Sequence, residues 1–448
     1  MRRSLVAGAL ALLLAAALLV AGSSPGQAQA RIPIEFWHAM RGPLGETLEG
    51  MAAGFNASQS RYQVKPAFKG SYPETMVAAI AAFRAGNAPH IVQMFEVGTA
   101  TMMAAGPAIK PVWELMKETG TPFDPATYLP AVRGYYSSAD GKMVAFPFNS
   151  STPILWYSKD AFRRAGLDPE KPPATWPELR AAAQRIRAAN AAPCGFSTAW
   201  PTWTQFENFG AMHDVPFATK ANGFEGFDAE LTINAPLFVR HLQFLMDMQQ
   251  EGTFKYGGRD AQGDALFPSG ECAMLTASSA LYGRVNREAK FAWGVGYFPY
   301  YPDVKGAPKN SVIGGAAFWV MTAPRRTVEE YRGVAEFLRY LGSAEVAGKW
   351  HMETGYVPIS FTGAQYARAT GYYQREAWAE LPIRQLTRTP PTKNSKGFRL
   401  GNMPEIRVII YEEIERAFQG QQTAKQALDN AVRRGNVVLR RFQQTAGQ

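Results

Sequence analysis

Residues 31–97 read RIPIEFWHAMRGPLGETLEGMAAGFNASQSRYQVKPAFKGSYPETMVAAIAAFRAGNAPHIVQMFEV, and the spacing of their apolar positions decides the fold class. Ile32 to Trp37 is a short apolar run of strand length. Leu44, Leu48, Met51 and Phe55 then recur at helical spacing and form one apolar face. Tyr62, Val64 and Phe68 return to a period of two. Pro73 suits the first turn of a second helix, which runs through Met76, Ile80 and Phe83 to Gly86 as its stop. Ile91 to Val97 is a third strand. Strand, helix, strand, helix, strand at these intervals predicts right-handed βαβ crossovers and a parallel sheet, hence an α/β fold.

In open sheets of this kind ligands bind beyond the carboxyl ends of the strands, where loops diverge and helix N-termini present free N–H groups. Trp37-His38 closes the first strand, Tyr72 follows the second, and Glu96 ends the third. We assign His38 a structural role. Glu96 lies within Met94-Phe95-Glu96-Val97, where a buried carboxylate needs partners; a strand-end glutamate facing water is the other reading.

Upstream, Met1-Arg2-Arg3, the apolar run Leu5 to Val20 and Ala28-Gln29-Ala30 form the pattern of an export signal cleaved after Ala30. The run is short of the roughly 20 residues a spanning helix needs, and no cysteine near the cleavage site could carry a lipid. This fits a protein released into the periplasm. The chain has 47 basic and 37 acidic residues, a net charge of +10 that falls to +8 without Arg2 and Arg3. The charge is dispersed, without the Lys/Arg runs of a nucleic-acid tract, yet a positive field helps to collect anionic solutes. Cys194 and Cys272, the only cysteines, allow either one disulfide or two separate buried thiols.

Downstream, Phe146 to Thr152 reads as an extended, proline-interrupted crossover and a lobe boundary. Thr175-Trp176-Pro177-Glu178 has the capping-box pattern that opens a helix to about Asn190. Glu271 to Thr276 is a strand with Ser278-Ser279 at the start of the next helix, and Ala316 to Thr322 is a strand preceded by Gly314-Gly315. Pro404 to Gln419 and Thr423 to Gln444 are amphipathic helices. No linker divides the chain, as interleaved lobes require.

Catalytic signatures are largely missing. Gly22-Ser23-Ser24-Pro25-Gly26 matches a nucleophile elbow but falls in the export segment. No P-loop or paired-histidine motif occurs, and the five histidines lack zinc-ligand spacing. These observations favour a binding protein over an enzyme, with no cofactor and no metal. Trp200 and Trp203 flank a Trp-Pro-Thr-Trp turn in which an indole could stack on a sugar face or cationic head group, or pack in the core. Arg407 could clamp an anion, its fork gripping two phosphate oxygens, or form a helix-surface salt bridge with Glu405 or a nearby acid.

The segments Phe36-Trp37-His38, Gly86-Asn87-Ala88-Pro89, Phe95 to Met103, Pro147 to Pro153 and Arg399-Leu400-Gly401-Asn402-Met403-Pro404 resemble those of the glycerol-3-phosphate-binding members of extracellular solute-binding protein family 1, the receptors of Ugp-type ABC importers. The likeness covers essentially the whole mature chain. It implies a two-lobed, maltose-binding-protein-like fold with the ligand between lobes joined by hinge crossovers. The implied division is 1–30 signal peptide, 31–148 first lobe, 149–311 second lobe, 312–348 return to the first lobe and 349–448 C-terminal helical part of the second. Carried onto this chain, the resemblance implies that Tyr72 and Glu96 contact glycerol hydroxyls and Trp200 packs over the ligand. Ser151, Ser278, the Gly315 N–H, Tyr356 and Arg407 would hold phosphate. The implied ligands are glycerol-3-phosphate and glycerophosphodiesters such as glycerophosphocholine; the implied partner of the monomer is the ABC permease, by transient docking. An oligosaccharide receptor and a secreted glycerophosphodiester hydrolase are the alternatives.

Overall fold

The computed structural model describes residues 30–446. The export signal expected over residues 1–30 therefore lies, but for Ala30, outside the described residues. The opening segment folds as its periodicity predicts, into strand β1 (Ile32–His38), helix α1 (Gly42–Ser58), strand β2 (Tyr62–Phe68), helix α2 (Tyr72–Arg84) and strand β3 (Ile91–Phe95). Alternation buries Ile34 and Phe36 of β1, and α1 presses Leu48, Met51 and Phe55 onto the same core. Helix α2 starts at a capping box: the Glu74 carboxylate accepts from the Ser71 N–H at 2.5 Å while the Ser71 hydroxyl accepts from the Glu74 N–H. Strand β3 stops at Phe95, two residues short of the expected Val97, because Glu96 opens a 3-10 turn.

The later strands are β4 (Ile109–Lys110), β5 (Phe146–Ser151), β6 (Pro153–Ser158), β7 (Cys194–Thr198), β8 (Phe254–Tyr256), β9 (Cys272–Ser278), β10 (Trp293–Gly296) and β11 (Gly314–Met321). Five helices complete the description needed here: α3 (Trp176–Ala188), α4 (Tyr282–Glu288), α5 (Ala344–Thr354), α6 (Met403–Phe418) and α7 (Ala424–Ala446). The Thr175/Glu178 capping box does open α3.

Two sheets result. The first runs β2-β1-β3-β11-β4, with β5 also paired to β11; the second runs β10-β6-β9-β7-β8. Strand β1 is parallel to β2 and β3, as the βαβ reading requires, but β11 is antiparallel to β3, β4 and β5. The first sheet is mixed rather than parallel because β11 enters from the second sheet, a long-range return that local periodicity does not carry. The chain leaves the first sheet through a single residue, Thr152, between β5 and β6. Its hydroxyl lies 2.5 Å from that of Ser311 on the returning segment, and the Gln385 amide donates to it at 2.9 Å. All three side chains are fully buried.

Cys194 and Cys272 form a disulfide, which resolves the alternative left open by the sequence. They are register partners on adjacent parallel strands β7 and β9, with Cα atoms 4.3 Å apart. The bridge spans 78 residues of chain. Constraining an unfolded loop of that length stabilises the fold by about 4 kcal/mol. The Cys194→Ser/Cys272→Ser double variant is therefore expected to unfold at a clearly lower temperature and urea concentration than the oxidised protein. Circular dichroism with and without dithiothreitol measures this, and the reductant should affect only the parent protein.

Candidate functional site

The site forms where the two sheets meet, and its first wall is set by a line of buried amides. Gln93 on β3 accepts from the Ala39 N–H (2.9 Å) and donates to Asn149 Oδ1 on β5 (2.9 Å). The Asn149 amide donates in turn to the Tyr72 hydroxyl (3.1 Å). Tyr72, the first residue of α2 rather than a loop residue, stacks its ring on Phe95 with centroids 5.3 Å apart and planes 8° from parallel. Two side-chain amides and one ring stack thus fix where this hydroxyl points. His38 is buried, with Nε2 3.5 Å from Glu49, and lies outside the cavity wall.

The second sheet contributes residues at the carboxyl ends of β7 and β9. Beyond β7, Trp200 adopts φ +53°, a left-handed conformation that costs a non-glycine residue energy and persists only where the surroundings impose it. Its N–H donates to Asp260 O (2.7 Å), and the Tyr411 hydroxyl of α6 donates to Asp260 Oδ1 (3.1 Å). Ser278 ends β9 and caps the following turn, its hydroxyl accepting from the Ala280 N–H (3.1 Å). Gly315, the second residue of β11, has φ +106°, and a Cβ there would lie 2.1 Å from Asn149 O, so only glycine brings this backbone to the wall. Tyr356 follows α5, and burial pushes its hydroxyl up to about 12.

These residues enclose a cavity of about 690 Å³, within the size range of small-molecule sites. All eight residues singled out from the sequence, Tyr72, Glu96, Ser151, Trp200, Ser278, Gly315, Tyr356 and Arg407, line it. Trp203 lines it too, held against Gly314, where a Cβ would meet the indole at 2.5 Å. Among the described residues no group of three or more His, Cys, Asp and Glu side chains stands where it could hold a metal ion. No helix among them is long and apolar enough to cross a membrane.

At one end of the cavity lies a buried charge triad that the sequence did not reveal in full. Arg407 donates through Nε and Nη2 to the two oxygens of Glu207 (2.8 and 2.7 Å), and Nη2 also donates to Glu96 Oε1 (2.6 Å). All three are at least nine-tenths buried. Burial pushes the Glu96 carboxyl up to about 6, against the pull of the guanidinium. Burial also opposes the Arg407 charge, but Glu207 and Glu96 outweigh it and hold the guanidinium well above its ordinary value. Two expectations need correction. The two-pronged edge of Arg407 is occupied by Glu207, which leaves only Nη1 outside the pairing. Glu405, the alternative partner, faces Arg441 instead (3.7 Å). Glu207 escaped notice because it lies in a π-helical turn, Trp203–Asn208, with no periodic pattern or motif around it.

A family model described as bacterial extracellular solute-binding protein matches residues 41–348. The chain belongs to that family. It is 47% identical over 429 residues to the sn-glycerol-3-phosphate-binding periplasmic protein UgpB of Yersinia pseudotuberculosis, covering 96% of each chain. The Salmonella paratyphi A protein of the same name is 48% identical over 422 residues, covering 94% of this chain and 95% of its own. Among solved structures, UgpB from Mycobacterium tuberculosis in complex with glycerophosphocholine superposes with a TM-score of 0.77 at 20% identity, over 92% of this chain and 99% of that one. A cyclic alpha-maltosyl-1,6-maltose binding protein from Arthrobacter globiformis gives 0.70 at 22%, over 92% and 100%. At these identities the structural likeness establishes the two-lobed, maltose-binding-protein-like α/β fold of this solute-binding protein.

The triad changes what substitution of Arg407 does. Arg407→Ala leaves two buried carboxylates facing each other without a counterion, at a cost of about 3–5 kcal/mol. The variant is expected to unfold well below the parent protein at pH 7.5. The deficit should narrow as the pH falls from 7.5 to about 6, because without the guanidinium that lowers it Glu96 takes up its proton above the parent's value of about 6; below that both proteins carry the proton and the deficit levels off. Thermal denaturation at pH 7.5 and 5.0 measures both effects.

Proposed function

We propose that this protein is the substrate-binding component of an ABC importer, capturing sn-glycerol-3-phosphate or glycerophosphodiesters such as glycerophosphocholine in the periplasm and releasing them to a membrane permease. One observation carries the reading: neutral donors from both sheets converge on one cavity beside Arg407, the one buried guanidinium among its five lining arginines and one already paired with two carboxylates. Hydroxyls of Ser151, Ser278 and Tyr356, the Gly315 N–H and Arg407 Nη1 together suit a phosphate dianion without several buried cations. Glu96 and Tyr72 supply polar oxygens for vicinal hydroxyls, and the Trp200 indole covers the remaining face. The names of the curated relatives support the same ligand class.

We further infer that the lobes comprise residues 31–151 with 312–348 and residues 153–311 with 349–448, closing about Thr152 and Ser311; the first boundary falls three residues later than the expected 148 because Asn149 to Ser151 pair with β11 in the first sheet. A ligand that touches both walls stabilises the closed form through contacts the open form lacks, and the permease then distinguishes the two states. The protein binds and releases its ligand chemically unchanged.

Titration calorimetry with glycerol-3-phosphate, glycerophosphocholine and maltotriose tests the reading. The two glycerol phosphates are expected to bind and maltotriose not to bind. Binding of maltotriose alone would identify an oligosaccharide receptor, and release of glycerol-3-phosphate from the diester would identify a hydrolase. Ser151→Ala and Ser278→Ala should each weaken phosphate-ligand binding roughly tenfold, the scale of a lost hydrogen bond to a charged group.

A further inference from the structure

Among the carboxylates lining the cavity outside the arrangements above, one has a fully buried oxygen. Asp264 lies in the 3-10 turn Asp260–Ala265, which packs against the end of β7. The close approach depends on Gly263, where a Cβ would lie 2.5 Å from Thr198 O and 3.2 Å from the Ala199 Cα. The turn thereby carries Asp264 into the wall that Trp200 also lines. Asp264 Oδ1 is buried and has no hydrogen-bond partner among the described residues. The cation that acts on it, Arg284, is engaged with Glu288 at 2.8 Å. Burial pushes the Asp264 carboxyl up to about 7, against Arg284 and the neighbouring Trp200 indole.

A buried acceptor without a partner is costly, and such a group facing a ligand cavity is satisfied when the ligand brings the partner. A phosphate does not answer this need, because it brings a second negative charge. An ammonium does: a primary one donates to the free oxygen, a quaternary one, which has no N–H, opposes the carboxylate's charge, and both are groups that an indole face attracts. The backbone of Trp200 is held in its left-handed conformation by the same turn, through Asp260 O. Indole and carboxylate are therefore positioned by one structural unit.

We propose that Asp264 and Trp200 form a subsite for the cationic head group of a glycerophosphodiester, so that the protein selects ammonium-bearing diesters over uncharged ones. The inference rests on the glycerol-phosphate reading given above. The Asp264 carboxylate opposes the ligand's positive charge, the indole packs against it, and the phosphate occupies the serine and arginine end. Glu96 and Asp264 then have different duties: the first is neutralised by Arg407 in the empty protein, while the second is neutralised by the ligand.

Calorimetry on the mature parent protein and on Asp264→Asn, with four probes, tests this. The probes are glycerol-3-phosphate, glycerophosphocholine, glycerophosphoethanolamine and glycerophosphoglycerol. The parent protein is expected to bind both ammonium diesters about tenfold or more tighter than glycerophosphoglycerol, the scale of one desolvated cation contact. In Asp264→Asn that preference should disappear, while glycerol-3-phosphate binds two- to threefold tighter because a negative charge near its phosphate is gone. Equal affinity of the parent for charged and uncharged diesters, or an unchanged preference in the variant, overturns the subsite. The comparison within the parent protein decides the matter even if the variant does not fold. Failure of the parent to bind any of the four probes overturns the glycerol-phosphate reading instead.

Discussion

A guanidinium shared between two carboxylates, all removed from water, is the constraint around which the site is organised. Glu96 comes from the turn after β3 in the first sheet, Glu207 from the turn after β7 in the second, and Arg407 from α6. Three charges of this kind are tolerated in the interior only when their geometry is tightly held, since removing any one strands the others. The triad therefore ties the carboxyl ends of the two sheets together in the arrangement seen here, and motion of one wall against the other would break its Glu96–Arg407 contact. It also removes the positive charge that a bare arginine would place in the cavity. On the proposed reading, a phosphate held there would be recognised mainly by hydroxyl and amide donors, so that recognition would depend on their directions more than on net charge.

Those directions are set from outside the cavity. The Gln93–Asn149–Tyr72 relay runs across β1, β3 and β5, so a displacement of any of these strands would move the Tyr72 hydroxyl. On the opposite wall, Trp200 is fixed by a strained backbone and by a turn anchored to α6 through Tyr411. Rigid walls built from separate sheets suit a receptor whose only internal freedom is motion of one wall against the other. The crossing at Thr152, Ser311 and Gln385 is where such motion would be absorbed. There the connection between the sheets is one residue long, and its polar side chains satisfy one another.

The positive surface charge and the neutralised cavity act at different ranges. Surplus basic residues at the surface raise the local concentration of anionic solutes and are screened by salt within about 10 Å. The buried carboxylates work at contact distance, where the low dielectric makes each unpaired group costly. Collection and selection are thus assigned to different parts of the chain.

Apolar periodicity over residues 31–97 was sufficient to specify the βαβ units, because local burial on one face is written directly into residue spacing. The carboxyl ends of those strands then pointed to Tyr72 and Glu96 without further information. Ser71–Glu74 and Thr175–Glu178 were legible as helix starts for the same local reason. Ser151, Ser278, Gly315 and Tyr356 were reached through family resemblance, since isolated serines, glycines and tyrosines carry no spacing signal. Tertiary structure alone decided the antiparallel return of β11, the Cys194–Cys272 pairing and the engagement of Arg407 by Glu207 rather than Glu405. It alone brought Asp264 to the cavity wall. Each of these joins residues distant in sequence through strand register or close backbone approach. Such contacts depend on how whole elements pack, and no local pattern of residues encodes them.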